Sequence, residues 1–151
     1  MNWDRFTVKD QAENDIYTIR GKIVTVHHTI IIEDMQGNEI ARVKKEIMSL
    51  HTSYNVYLQG NHYATIKKEI FTVGGAKFNV ALSQANFEVK GSIFDHTFEL
   101  KQGSEKIGAV HKAVISWGES YRLELYRQDP QLEVLAVAIV VAIDNAMHDE
   151  N

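Results

Sequence analysis

Paired lysines are the most regular polar feature of this chain. Lys44-Lys45 and Lys67-Lys68 stand in two nearly identical decamers, GNEIARVKKE from Gly37 and GNHYATIKKE from Gly60, and Lys112 follows His111 in a third, looser copy. Ammonium groups gathered in this way do one kind of chemistry: they hold anionic oxygen, such as that of a phosphate-bearing headgroup. The matching residues lie two apart, as Ala41, Val43, Lys45, Ile47 and Ser49, then Ala64, Ile66, Lys68, Ile70 and Thr72, then Gly108, Val110, Lys112, Val114 and Ser116. That is strand periodicity. It gives Lys45, Lys68 and Lys112 the parity of the apolar residues and turns Lys44, Lys67 and His111 to the opposite, outer face. An unpaired ammonium in an apolar interior is too costly, so each lysine of the first set is expected at a strand end, snorkelling to the rim or paired with a carboxylate. Two readings follow. The lysines are a recurring structural rim contact, or Lys44, Lys45, Lys67, Lys68 and Lys112 form a basic patch for an anionic headgroup. Glu46 and Glu69, directly after two of the lysine pairs, weaken such a patch by neutralising it locally.

Other chemistry is harder to assemble. His27 and His28 are adjacent, so on a strand they face opposite ways and do not share a metal easily. His51, His62, His96, His111 and His148 show neither HExxH nor H-x-H spacing with carboxylates, so no metal site and no cofactor is expected. There is no G-x-S-x-G, P-loop or G-x-G-x-x-G motif, and VGGAK at 73–77 reads as a hairpin turn rather than a phosphate cradle. The carboxylates are scattered, with no pair at a spacing that argues for glycosidase chemistry. The residues point away from an enzyme.

The elements that position these residues are mostly strands. Turn signals recur at MQGNE (35–39), QGN (59–61), VGGA (73–76) and QGSE (102–105), where glycine and asparagine supply positive φ. A shorter phrase, Tyr17-Thr-Ile19-Arg20-Gly21, returns as Phe87-Glu-Val89-Lys90-Gly91, each ending its run at glycine. Between the turns lie about twelve short runs of period two before Pro130. So many strands in 151 residues would leave long unpaired edges unless the sheet closed or split, and closure into an antiparallel barrel is the preferred solution. A barrel of that size is too wide for its own side chains to fill.

The end of the chain supplies the filling. Asp129-Pro130, with the only proline, reads as N-cap and first turn of a helix running to about Met147. Its valines and isoleucines lean toward strand by propensity, but a segment apolar on all sides suits a helix buried on all sides. The 17 residues from Gln131 to Met147 span about 25 Å, a fair match to barrel height. The run Val134–Ile143, bounded by Glu133 and Asp144, is ten residues long, short of the roughly 20 needed to cross a bilayer. The whole chain, 1–151, is thus expected to be one domain with its central helix at about 130–147.

Taken together, the I-A-x-V-K-K phrases, the aromatic-x-V-K-G phrases and the closing LAVAIVVAID resemble the LURP-one-related proteins, from about Phe6 to Asp144. The resemblance implies the tubby C-terminal-like fold shared with phospholipid scramblases: a closed twelve-stranded antiparallel barrel threaded by a hydrophobic C-terminal helix. Some tubby-like proteins bind phosphoinositides through basic residues on the barrel, but no specific binding motif of that group is matched here.

Composition narrows the partners. A formal charge of −4 offers no bulk attraction for nucleic acid, so any anionic ligand must meet a local patch. The absence of cysteine removes disulfides and thiolate chemistry and suits a reducing cytoplasm; the polar N-terminus shows no secretory signal. The expected function is a cytoplasmic, non-catalytic binding or regulatory module that recognises an anionic phospholipid headgroup or membrane surface. The alternative is a protein-interaction domain. A scramblase-like transporter conflicts with an apolar run needed inside the barrel.

Overall fold

The structure, a computed structural model, describes residues 5–24, 27–48, 51–72, 74–92, 94–115 and 118–149. Ser49, Val73 and Ser116 of the phrases above lie outside the described residues, as do the side chains of His27 and Val114.

Eleven strands form among the described residues: β1 (Arg5–Lys9), β2 (Asp15–Val24), β3 (His27–Asp34), β4 (Glu39–Met48), β5 (His51–Leu58), β6 (Asn61–Thr72), β7 (Gly75–Ala81), β8 (Asn86–Ser92), β9 (Thr97–Gln102), β10 (Glu105–Ile115) and β11 (Gly118–Leu125). Each pairs antiparallel with its sequence neighbour, and β1 closes the barrel on β11. The closing pair is parallel, with Val8 opposite Tyr121. The closed barrel of about twelve strands expected from the sequence is found with eleven among the described residues. Its one departure from an antiparallel barrel, the parallel β1–β11 pair, follows from that odd number. In an up-and-down meander with an odd number of strands, the first and last run the same way, so they can meet only in parallel.

Inward residues make a continuous apolar lining. Val43 pairs Val56, Tyr54 pairs Ile66, Ile66 pairs Val80, Phe78 pairs Val89 and Val89 pairs Leu100, and all of these are buried. The middle is filled by α1 (Pro130–Asp149). Its residues from Leu135 to Asp144 are all buried, as a helix without a polar face requires. Asp129 caps it: its carboxylate accepts from the backbone N–H groups of Gln131 at 3.0 Å and Leu132 at 3.4 Å. The helix is longer than its ten-residue apolar run. By length and composition it could cross a membrane, at mean hydropathy 1.5, yet 72% of that window is buried inside the barrel.

Two local details differ from the sequence reading. Gly91 does not end its strand; it lies within β8, where a Cβ would come 2.4 Å from the Phe98 ring and 2.6 Å from the Thr97 carbonyl oxygen. Glycine is there for close approach, not for a turn. In β6 the pairing shifts at Glu69, so that Lys68 faces Phe78 but Ile70 faces Lys77. This β-bulge is the residue that lengthens the interval from Lys68 to Phe78 relative to that from Lys45 to Tyr54.

Candidate binding surface at the barrel mouth

Chain direction gives the barrel two distinct ends. The turns β1–β2, β3–β4, β5–β6, β7–β8 and β9–β10 surround the start of α1, and the other end surrounds its last turns.

The start is acidic. Asp10 and Asp34 each organise a five-residue turn of the same form, DQAEN and DMQGN. Asp34 Oδ1 accepts from the N–H groups of Gln36 at 3.0 Å and Asn38 at 2.8 Å, and Oδ2 accepts from Asn38 Nδ2 at 3.0 Å; Asp10 does the same with Ala12 and Asn14. These bonds hold both carboxyls below the usual aspartate value. Nearby, burial and then Glu133 push the Tyr17 phenol up to about 12. An open groove of about 560 Å³ lies here, lined by Asp10, Asp129 and Glu133 together with Arg127. The sequence reading missed the shared D-x-x-x-N turns, although the pattern is visible in the letters.

The opposite mouth carries the lysines, and the structure divides the five into two sets. Lys45, Lys68 and Lys112 face inward, each directly across from an aromatic that is fully buried: Tyr54, Phe78 and Tyr121. They stand three or four residues inside the strand ends rather than at the last positions, and all three are half-buried. The same tyrosines fasten the helix. Tyr54 Oη donates to Asn145 Oδ1 at 3.0 Å, and Tyr121 Oη donates to the buried Asp144 carboxylate at 2.7 Å. The other oxygen of Asp144 lies 3.3 Å from His148 Nδ1. Lys112 Nζ reaches Met147 Sδ at 3.5 Å, and Lys68 Nζ lies 5.7 Å from the centre of the Phe71 ring. The inward lysines therefore collar the C-terminal turns of α1, the negative end of its dipole. Burial first, and then the neighbouring Lys68 charge, lower the Lys45 pKa.

Lys44 and Lys67 face outward, on β4 and β6 with β5 between them. Lys44 is exposed and sits 4.9 Å from the Tyr57 ring centre. Lys67 lies 4.0 Å from Glu69, whose Oε1 also accepts from Asn79 Nδ2 at 2.9 Å. The bulge that displaces Glu69 from the ladder puts it on that shared contact, so the outer pair is partly neutralised. His111 is also outward, held between Thr97 Oγ1 at 3.2 Å and Glu124 Oε2 at 3.1 Å. Five lysines that read as one patch are thus an inner collar of three and an outer pair.

A closed β-barrel threaded by its own C-terminal helix, with paired lysines near the mouth where that helix ends, is the class of protein this geometry defines. The chain belongs to the LURP-one-related family, whose sequence profile matches residues 1–144. It is similar to the uncharacterized protein YxjI of Bacillus subtilis (strain 168), with 26% identity over 138 residues that cover 91% of this chain and 83% of the relative. No solved structure matches the chain.

Proposed function

We propose that this protein is a non-catalytic binding module that docks on an anionic membrane surface, holding phospholipid headgroups at the basic mouth of the barrel. The supporting observation is the inward collar of Lys45, Lys68 and Lys112 around the end of α1, in a chain whose overall charge is −4. Burial first and then the neighbouring Lys68 charge disfavour the Lys45 ammonium. Each lysine near an anionic surface contributes about 1 kcal/mol. Co-sedimentation with phosphatidylserine- or phosphoinositide-containing liposomes tests this. Removing Lys45 and Lys68 together as alanines should weaken binding by about tenfold or more. The Lys44→Ala, Lys67→Ala pair should lose less, because Glu69 already neutralises Lys67. Both effects should shrink in high salt, which screens exposed charges beyond about 8–10 Å. An absence of wild-type binding at low salt would end the lipid reading and bring the protein-interaction alternative forward.

A further inference from the structure

Large apolar side chains are exposed at the same mouth. Ile47, near the end of β4, is 68% exposed; Ile70, near the end of β6, is 53% exposed; Phe94, in the turn between β8 and β9, is 73% exposed. Single exposed hydrophobics are ordinary, but three around one rim are not. Their order relative to charge is also inverted. In β4 and β6 the lysines Lys45 and Lys68 are drawn half inside, while Ile47 and Ile70 lie nearer the strand ends and are more exposed. Water alone favours the reverse arrangement. The bulge at Glu69 contributes directly: it turns Phe71 inward against Phe78, with ring centres 6.0 Å apart, and leaves Ile70 outside.

Charge decides what covers this surface. Behind the apolar tips stand Lys45, Lys68 and Lys112 on the inner side and Lys44 and Lys67 on the outer. Of the nearby carboxylates, Glu69 is bonded to Lys67, Glu88 to Lys77 and Lys90, and Asp144 to Tyr121. Glu46, Asp95, Glu119 near the start of β11 and Asp149 at the end of α1 are further acids at this end among the described residues, so the lysines stand among carboxylates. At the opposite end, exposed Met35 lies in the acidic turn of Asp34, while exposed Tyr126 precedes Arg127 and lies near Lys106, so acids and bases are mixed there. Apolar tips in front of a cationic row match the depth profile of an anionic bilayer, acyl chains below and phosphates above.

We propose that Ile47, Ile70 and Phe94 are the membrane-entering foot of this protein, so that the barrel stands on an anionic bilayer with the C-terminal end of α1 toward the lipid. This rests on the membrane-docking reading above and adds the insertion and its orientation. The chain has no cysteine, so single-cysteine variants can be labelled cleanly with an environment-sensitive nitrobenzoxadiazole dye. Labelled Asp95→Cys, which keeps Phe94, is compared with labelled Met35→Cys at the other end, on phosphatidylcholine vesicles with and without phosphatidylserine. The expected result is a blue-shifted, brighter signal at position 95 and none at 35, only with phosphatidylserine. The triple variant Ile47→Ser, Ile70→Ser, Phe94→Ser should keep the wild-type melting temperature and bind about a hundredfold more weakly, with an unchanged salt dependence. Vesicle binding with no change at position 95, or with the change at 35, overturns the inserted foot and leaves headgroup binding standing. No vesicle binding at all overturns both and assigns the apolar rim to a protein partner.

Discussion

Ile139 lies in the middle of α1 and is 1% exposed, between Ala138 and Val140, which are fully buried. Truncating it to alanine deletes apolar groups from a site enclosed by barrel wall on every side. Such substitutions cost about 2–5 kcal/mol, and the cost rises with the cavity that remains. The wall here is a closed ladder of paired strands, so it has little freedom to collapse onto the gap, which places the expectation at about 3–5 kcal/mol. Alanine's better helix propensity returns only a few tenths of a kcal/mol. For a chain of this length each kcal/mol lowers the melting temperature by about 2–4 °C, so Ile139→Ala should melt roughly 10 °C below the wild type. Urea and thermal unfolding followed by circular dichroism give both quantities. Gln131→Ala, at an exposed position in the first turn of the same helix, is the control and should stay within about 0.5 kcal/mol. A loss below about 1 kcal/mol at Ile139 would refute a helix packed inside a closed wall.

Two further outcomes come from the acidic end. Glu13 has φ +66° at the place in its DQAEN turn where the matching DMQGN turn carries Gly37 at φ +87°, so Glu13→Gly should stabilise the fold by about 0.5–1 kcal/mol in thermal melts; a lower melting temperature would show that the left-handed geometry costs glutamate nothing. The Asp34 carboxyl is held below its ordinary value of 3.8 by bonds from the Asn38 side chain and from the backbone of the turn, so its contribution to stability is present above that value and is lost as pH falls through the lower folded value. Asp34→Ala should therefore be less stable than the wild type at neutral pH, with the gap closing below pH 3.8; a gap unchanged by acid would place the loss elsewhere than in the carboxylate.

Much of this architecture is written locally. Alternation in phrases such as Ala41-x-Val43, the glycine turns and the Asp129-Pro130 start followed by a run without a polar face each depend on neighbours within a few residues, so a strand-rich barrel around a helix was legible in the letters. Even the extra residue between Lys68 and Phe78 was visible as an irregular interval. What the interval meant was not: only pairing with β7 makes Glu69 a bulge and turns Ile70 out. The odd strand count, and with it the parallel meeting of β1 and β11, is likewise a property of the closed ring. The lysines show the division most clearly. Their spacing announced a common parity, but parity names a face and not its depth. Only the folded barrel sets Lys45, Lys68 and Lys112 opposite buried aromatics and around the end of α1, and parts them from Lys44 and Lys67. Periodicity is a short-range property that one strand carries by itself. Depth, the division of the lysines into inner and outer sets and the exposure of Ile47, Ile70 and Phe94 are set by contacts between residues far apart in the chain, which come into being only when the barrel closes on its helix.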